Sequence, residues 1–162
     1  MSDKIKLLIV DDEVKFLESI ARRLEMRGFD VTKAVNGQEA LDAAGRASFD
    51  LALLDLKMPG LNGQQVLERL KKEHKYLEVV ILTGHGSVDS AVECTKLGAF
   101  GYLPKPYELD KLLEVLKDAY EARMRSKFKQ DDERTKKIMK LAMGSSPLGI
   151  LRELRKLDNE EK

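Results

Sequence analysis

Short apolar runs alternate with amphipathic segments along most of the chain. The first run ends at Val10 and the third at Asp55, and their leucine, isoleucine and valine content is typical of strands buried on both faces. The segment after each run repeats its apolar residues at helical spacing. The first such segment does so at Val14, Leu17, Ala21 and Leu24. The pattern therefore indicates strands that alternate with helices.

Five strands and five helices are predicted from this alternation. The strands are expected over residues 4–10, 29–35, 49–55, 79–83 and 99–103, and the later helices over residues 36–46, 87–97 and from 108 onward. Asn36, with Glu39 three residues later, predicts a capped helix start. Strands joined by helices pair in parallel, and right-handed crossovers favour a doubly wound sheet. The predicted fold class is α/β, with a five-stranded parallel sheet and a C-terminal helical extension.

The strand and helix alternation gives out after about residue 122. We therefore expect one domain over residues 1–122 and a helical or partly disordered extension over residues 123–162, which is too short for a second globular domain. Arg123 to Met143 is typical of a continued or broken amphipathic helix, and Gly144 to Pro147 predicts a break. The following stripe, too short to be stable alone, contains Leu148, Leu151, Leu154 and Leu157.

Composition narrows the class of protein. The 162 residues are 43% hydrophobic and 35% charged, with a net charge of +1, which is ordinary for a globular protein. No apolar run is long enough to cross a bilayer and the start is acidic, so we expect a cytoplasmic protein with no membrane partner. Cys94 is the only cysteine, which excludes an intrachain disulfide. From Ser126 onward there are ten Lys or Arg and seven Asp or Glu. This small excess is weak support for nucleic-acid contact, and we expect a solvated, helix-forming tail instead.

Charged and polar residues stand at the ends of the predicted strands. Asp11 and Asp12 follow the first strand, Asp55 and Thr83 close the third and fourth, and Lys105 lies just beyond the fifth. Ligands of a doubly wound sheet bind at the carboxyl ends of its strands, so we expect these side chains to converge. Three adjacent carboxylates repel one another unless a cation neutralises them. Oxygen ligands of this kind predict Mg²⁺, or the similar hard ion Mn²⁺.

Asp55 is the best candidate nucleophile among the three carboxylates. It ends an apolar strand and opens onto a loop rich in glycine and proline, which presents its carboxylate with little rearrangement. A carboxylate beside a divalent cation and an ammonium group is suited to attack a phosphoryl donor, because the cations offset the charge of the phosphoryl oxygens. Thr83 and Lys105 are expected to hold the product.

The segments LLIVDDE, LALLDLKMPGLNG, VVILTGHGS and FGYLPKP carry a family resemblance. In this order they resemble the successive motifs of bacterial response-regulator receiver domains, over roughly residues 4 to 122. The resemblance implies a flavodoxin-like receiver fold with strand order 2-1-3-4-5. It also implies a phosphoprotein of a two-component system, with a signalling role rather than an enzymatic one beyond its own phosphorylation and dephosphorylation.

The resemblance further assigns roles to individual residues. Asp12 would coordinate Mg²⁺ directly and Asp11 mostly through water, Asp55 would be the phosphoacceptor, and the main-chain carbonyl of Lys57 would complete the protein ligands. Thr83 would move its hydroxyl onto a phosphate oxygen and Lys105 would pair with another. The remaining assignments are a switch role for Tyr102, which would turn inward as Thr83 moves, and a cis peptide at Lys105-Pro106.

Lys57 and His85 each lie two residues after a residue of the site. By resemblance these positions tune the lifetime of the phosphate, which makes both residues possible modulators. The side chain of Lys57 either shields the acyl phosphate from water or faces solvent. A single histidine in a glycine-flanked loop, such as His85, is more often a solvated loop residue than a catalytic one.

The expected function is therefore phosphoryl acceptance on Asp55 from a sensor histidine kinase or phosphotransfer protein. The signal would leave through the surface formed by the fourth helix, fifth strand and fifth helix (the α4-β5-α5 surface), which would bind a downstream protein or a second copy. The alternatives are the receiver part of a truncated DNA-binding transcriptional regulator and a small phosphatase with an aspartate nucleophile.

Overall fold

The structure of the protein is a computed structural model that describes residues 4–144 and 155–156. Five strands and five helices alternate along it. The strands are β1 (Lys6–Val10), β2 (Asp30–Ala34), β3 (Leu51–Leu54), β4 (Glu78–Thr83) and β5 (Gly101–Pro104). The helices are α1 (Val14–Glu25), α2 (Gly37–Arg46), α3 (Gly63–Glu73), α4 (Val88–Lys96) and α5 (Leu109–Gly144). No helix among the described residues is long and apolar enough to cross a membrane.

All five strands pair in parallel in the order β2-β1-β3-β4-β5. The chain leaves β1 toward one edge of the sheet to form β2, and then crosses back to form β3 on the other side. The carboxyl ends of β1 and β3 therefore flank the point where the strand order reverses, which is where doubly wound sheets bind their ligands. The predicted α/β class, the doubly wound parallel sheet and the strand order 2-1-3-4-5 are confirmed.

The sheet has a hydrophobic core on each face. Alternate residues of one strand point to opposite faces, so Leu8 and Val10 belong to the core under α2 and α3, whereas Leu7 and Ile9 belong to the core under α1 and α5. Both faces of β1, β3 and β4 are covered. Full coverage explains why these strands read as unbroken apolar runs.

The edge strand β2 departs from that pattern. Its residues Asp30 to Lys33 are largely exposed or half-buried, and only Ala34 is fully buried. An edge strand has one partner and little cover, so it tolerates polar side chains. Each end of the observed strands lies within two residues of the predicted end, and the differences arise because hydrogen-bonded pairing, rather than apolar content, defines where a strand ends.

The helix starts are set by side-chain caps. The side chain of Asn36 accepts a hydrogen bond from the Glu39 amide at 2.8 Å, as the sequence predicts. Asn62 and Gln65 form a reciprocal capping box at the start of α3, and Ser87 and Ser90 form another at the start of α4. Such caps satisfy amides that have no partner inside the helix. They determine where the loops after β3 and β4 end.

Of the two predicted states of the segment after Arg123, the structure has the continued helix. α5 runs without a break to Gly144. The chain divides into a compact unit that ends at Arg123 and a second unit that begins at Met124. The part of the predicted break that follows Gly144 lies outside the described residues. The four leucines of the predicted stripe lie outside them as well.

Gly63 is required by a close approach between α3 and the strand end. A Cβ atom at this position would overlap the carbonyl oxygen of Asp55 and lie 2.5 Å from the Cα atom of Leu56. The backbone amide of Gly63 also donates a hydrogen bond to the Leu56 carbonyl at 2.7 Å. The loop that follows Asp55 is thereby held against the first turn of α3.

We expect Gly63→Ala to lower the free energy of unfolding by about 1–3 kcal/mol, because the new methyl group would force the backbone at Asp55 to shift. The matched control is Gly45→Ala in α2, where a Cβ atom meets nothing within 4 Å. That variant should be neutral or gain up to ~1 kcal/mol from helix propensity. Urea unfolding of both variants measures the difference. Equal stabilities would contradict the close approach.

Arg123 joins α5 to the segments at the amino ends of the strands. Its guanidinium donates to the Asp50 carboxylate at 3.0 Å and to the Tyr76 carbonyl at 2.7 Å. The other oxygen of Asp50 accepts a hydrogen bond from the Lys6 amide at 2.8 Å. One charged side chain of the helix therefore contacts the segments that lead into β3 and β4, next to the start of β1.

We expect Arg123→Met to lower the free energy of unfolding by about 1–3 kcal/mol, because it removes two hydrogen bonds and leaves Asp50 short of a donor. Thermal and urea unfolding measure the loss. The control is Arg125→Met, two residues further along at an exposed position. A loss of similar size in both variants would indicate an effect of helix propensity or net charge and not of the contact.

Candidate functional site

The structure brings five of the predicted residues together at the carboxyl ends of the strands. Asp11 and Asp12 follow β1, Asp55 follows β3, Thr83 is the last residue of β4, and Lys105 follows β5. Asp11 and Asp55 are each only 2% exposed, and Thr83 is 1% exposed. Residues separated by up to 94 positions thus share one pocket rim, because parallel strands deliver their carboxyl ends to the same edge.

Three carboxylates form the acidic centre of this rim. Asp11, Asp12 and Asp55 each place one carboxylate oxygen within 4.8 Å of the others, and Asp12 is the most exposed of the three. Carboxylate oxygens at this spacing are the donor set of a hard divalent cation. The cluster therefore fits a metal ion by its chemistry, and it contains no nitrogen or sulfur ligand that would favour a softer one.

Lys105 supplies positive charge to the same centre. Its ammonium group lies 2.6 Å from Asp11 Oδ2, 3.5 Å from Glu13 Oε1 and 3.7 Å from Asp55 Oδ2. Burial by itself would lower the pKa of Lys105, but the hydrogen bond to Asp11 and the surrounding carboxylates raise it above its ordinary value. The side chain therefore stays charged.

Asp11 is the carboxylate most strongly engaged by the protein itself. Burial raises the pKa of Asp11 above its ordinary value, while the hydrogen bonds from Lys105 and from the Glu13 amide act in the opposite direction. A cation bound at the cluster would further favour the ionised form. The positive charge of Lys105 thus offsets part of the cost of burying the Asp11 carboxylate at the end of a strand.

Asp55 is held by its backbone and keeps one oxygen on the side of Lys105. Its Oδ1 accepts a hydrogen bond from the Leu56 amide at 2.9 Å, and its own amide donates to the Val10 carbonyl at 3.0 Å. The other oxygen, Oδ2, lies nearer Lys105 but beyond hydrogen-bond distance from it. The Leu56 amide thereby holds one carboxylate oxygen, and the Lys105 ammonium group lies 3.7 Å from the other.

Thr83 and Tyr102, which the predicted switch couples to each other, have separate hydrogen-bond partners in the structure. The hydroxyl oxygen of Thr83 accepts a hydrogen bond from the His85 amide at 3.1 Å. The hydroxyl of Tyr102 lies 2.8 Å from Ser90 Oγ, and a Cβ atom at Gly86 would lie 2.5 Å from that same hydroxyl. The half-buried Tyr102 side chain is therefore held against the start of α4.

The remaining predicted residues lie around the acidic centre. The peptide bond between Lys105 and Pro106 is cis. The side chains of Lys57 and His85 are exposed and line one shallow cleft together with Asp12 and Glu13. This position is compatible with contact to a group bound at the cluster, and equally with solvation.

Three residues of the site have no counterpart among the sequence predictions. Glu13 contacts Lys105, Ser90 contacts Tyr102, and the ring of Phe16 lies under the Lys105 ammonium with a centroid distance of 4.2 Å. Phe16 stands beside the buried stripe of α1 and not in it, because Leu17 is the neighbour that enters the core. The available signal in the sequence was the position of Phe16, an aromatic residue next to the buried stripe of α1 and close to the acidic turn after β1.

Comparison with known proteins gives concordant relatives. The chain is 38% identical over 136 residues to an uncharacterised transcriptional regulatory protein, YkoG of Bacillus subtilis, covering 84% of this chain and 56% of YkoG. It is 38% identical over 119 residues to the transcriptional regulatory protein FixJ of Bradyrhizobium diazoefficiens, covering 74% and 58%. The chain thus spans little more than half the length of either relative.

Solved structures agree with the fold. A CheY-like response regulator receiver domain protein from Methanospirillum hungatei superimposes with a TM-score of 0.74 at 31% identity, covering 76% of this chain and 99% of that one. The family model of the response regulator receiver domain matches residues 7–117, which contain the carboxyl ends of all five strands. By that match the chain belongs to the response-regulator receiver domain family.

Proposed function

We propose that this protein accepts a phosphoryl group on Asp55 from a histidine kinase or phosphotransfer protein of a two-component system. The observation that carries the proposal is the placement of the buried Asp55 carboxylate in a cluster with Asp11 and Asp12, with the Lys105 ammonium 3.7 Å away. Such a carboxylate is suited to act as a nucleophile, because the neighbouring positive charge offsets the negative charge that develops on the phosphoryl oxygens. The family supports a signalling role with a kinase as donor.

The contacts of the three carboxylates favour Asp55 over the other two as nucleophile. Asp11 is already bound to Lys105 at 2.6 Å and to the Glu13 amide at 2.9 Å. Asp12 is the most exposed of the three and is therefore the least constrained by the fold. Asp55 has one oxygen oriented by the Leu56 amide and the other available, which is the arrangement an in-line attack requires.

A divalent cation fits the proposal, with Mg²⁺ or Mn²⁺ as the ion. Asp11, Asp12 and Asp55, with the main-chain carbonyl of Lys57, are the residues that would hold it. When bound, such an ion neutralises charge on the phosphoryl oxygens and on the carboxylate cluster.

The chemical step can be written with the protein's own groups. One carboxylate oxygen of Asp55 attacks phosphorus while the bond from phosphorus to the donor's histidine nitrogen breaks. The imidazole leaves with the bonding electron pair, and Asp55 becomes an acyl phosphate. Lys105 pairs with a phosphoryl oxygen, and the Thr83 hydroxyl donates to another once it is released from its contact with the His85 amide.

The proposed output is a change at the α4-β5-α5 surface. Movement of Thr83 toward the phosphate would alter the space available to Tyr102, whose hydroxyl now contacts Ser90 at the start of α4. Val88, Val92 and Phe100 are exposed on α4 and beside β5, which offers apolar contact area to a downstream protein or a second copy. In this proposal residues 1–122 form the receiver domain and residues 123–162 a C-terminal extension, in a cytoplasmic protein.

A role in transcription is a second candidate because both curated relatives are named as transcriptional regulatory proteins and are longer than this chain. Under this proposal the receiver would control DNA binding. The basic balance after Ser126 suggests direct phosphate contact by the extension. A gel shift with random duplex at low salt tests direct contact, and absence of binding would contradict it.

Incubation with acetyl phosphate and Mg²⁺ should add the mass of one phosphoryl group to the protein, and Asp55→Asn should abolish the addition because an amide cannot form the acyl phosphate. Intact-mass spectrometry measures it, and hydroxylamine should remove the group, as it does from acyl phosphates. Asp42→Asn, at an exposed position of α2, is the matched control and should be modified like the wild type. Modification of Asp55→Asn to the wild-type extent would refute Asp55 as the acceptor.

Lys57→Ala should shorten the lifetime of the acyl phosphate by roughly two- to fivefold, the effect of losing one weak surface charge contact of ~0.4–1 kcal/mol. The physical reason is that the exposed Lys57 side chain lines the same cleft as Asp12, a member of the acidic centre, where it would hinder the approach of water to a phosphoryl group. Dephosphorylation is followed by mass after removal of the donor. Lys72→Ala, exposed on α3, is the control, and equal lifetimes in all three proteins would eliminate shielding by Lys57.

A further inference from the structure

The contact between Lys105 and the ring of Phe16 is not needed to explain the fold. The ammonium nitrogen lies 4.2 Å from the ring centroid, well inside the ~6 Å range of a cation–π interaction. The side chain of Lys105 is only 12% exposed, so water screens this attraction weakly. A positive charge and an aromatic face thus meet at the edge of the acidic centre.

The ring of Phe16 has its own support. It meets the ring of Tyr107 edge to face, with centroids 5.9 Å apart and an interplanar angle of 88°. Tyr107 lies two residues after Lys105, so the partner that orients the ring belongs to the same short segment as the lysine. Phe16 also lines a small internal space with Asp11 and Asp55. The ring is therefore fixed between the acidic centre and the segment after β5.

We propose that Phe16 is a positioning residue for phosphoryl transfer, which holds the Lys105 ammonium within reach of Asp55 through the face of its ring. This inference rests on the proposed function of Asp55. The structure shows why such a residue is useful: the shortest contact of Lys105 is to Asp11, at 2.6 Å, and its distance to Asp55 is 3.7 Å. To pair with a phosphoryl oxygen on Asp55, the ammonium must turn at least one of its three N–H donors from its present contacts toward that oxygen.

An aromatic face suits that exchange better than another acceptor would. The ring attracts the ammonium by its quadrupole but contains no lone pair that competes for a directed N–H hydrogen bond. A second strongly bound carboxylate at that place, in addition to Asp11, would hold Lys105 back from the phosphoryl group. Glu13, the other nearby acid, is 3.5 Å away and its side chain is 62% exposed, so its attraction is weaker. The ring thus restricts the position of the ammonium group and leaves its N–H donors available for a phosphoryl oxygen.

The experiment measures the initial rate of phosphorylation by acetyl phosphate and Mg²⁺, using intact mass, in a graded series at position 16. Phenylalanine is replaced by its mono-, di- and trifluorinated analogues, which weaken the cation–π attraction stepwise at nearly constant ring size, and by leucine. The rate should fall in that order, and Phe16→Leu should lose about five- to thirtyfold, equivalent to ~1–2 kcal/mol. Phe128→Leu, at an exposed position of the second unit, should keep the wild-type rate.

Two further readouts separate positioning from packing. In a Lys105→Met background, replacing Phe16 with leucine should change the rate less than twofold, because the ring then has no cation to hold. The ε-methylene protons of Lys105 should resonate upfield in the NMR spectrum of the wild type, through the ring current, and move downfield in Phe16→Leu. Equal rates across the fluorinated series, or an undiminished loss in the Lys105→Met background, would overturn the proposal.

Failure of the proposed function gives a different result. If the wild type shows the upfield signal of Lys105 but is never phosphorylated, the proposed acceptor role falls and this inference falls with it. If the wild type is phosphorylated and the fluorinated series is flat, only the role of Phe16 is refuted. Thermal unfolding of each variant identifies any member of the series whose fold is lost, and the fluorinated analogues keep the test decisive if Phe16→Leu does not fold.

Discussion

Repulsion among carboxylates at one edge of the sheet is the constraint on which this site depends. Asp11 and Asp55 are almost fully buried within 4.8 Å of Asp12, an arrangement that is unfavourable unless positive charge compensates it. Among the described residues, Lys105 forms ion pairs with two of these acids, Asp11 and Asp55, and it also contacts Glu13. Its single charge cannot balance three carboxylates, so the cluster retains a net negative charge that favours binding of a further cation.

Strand order, backbone hydrogen bonds and close packing position this cluster of carboxylates. Reversal of strand order between β1 and β3 brings Asp11 and Asp55 to adjacent strand ends, and the hydrogen bond from the Asp55 amide to Val10 joins those ends directly. The absence of a side chain at Gly63 lets α3 approach the Asp55 backbone. At the opposite edge, Arg123 holds the start of β3 through Asp50. The acidic centre can therefore carry unfavourable charge because the strands beneath it are packed on both faces.

Much of this arrangement was predictable because its signals are local. A strand buried on both faces is an uninterrupted apolar run, and an acid that ends the run marks the carboxyl end of the strand, so Asp11, Asp55 and the sheet could be read from the sequence. Contacts between side chains of different segments could not. The Phe16 ring reaches Lys105 only because the segment after β5 folds back over the start of α1, and Ser90 meets Tyr102 only because α4 packs beside β5. The length of α5 was likewise open, since a charged amphipathic pattern fits a continued helix and a broken one equally.

The same geometry offers a route by which the proposed phosphorylation of Asp55 would change the α4-β5-α5 surface. Thr83 is tied to the His85 amide, and Tyr102 is tied to Ser90, which also belongs to the capping box that starts α4. The short exposed segment from Gly84 to Ser87 connects these two tethers, and Gly86 leaves the space that the Tyr102 hydroxyl occupies. If the phosphoryl group withdraws the Thr83 hydroxyl from His85, this segment loses one of its two anchors. The remaining anchor is the start of α4, so relaxation of the segment acts on the helix that borders the proposed output surface.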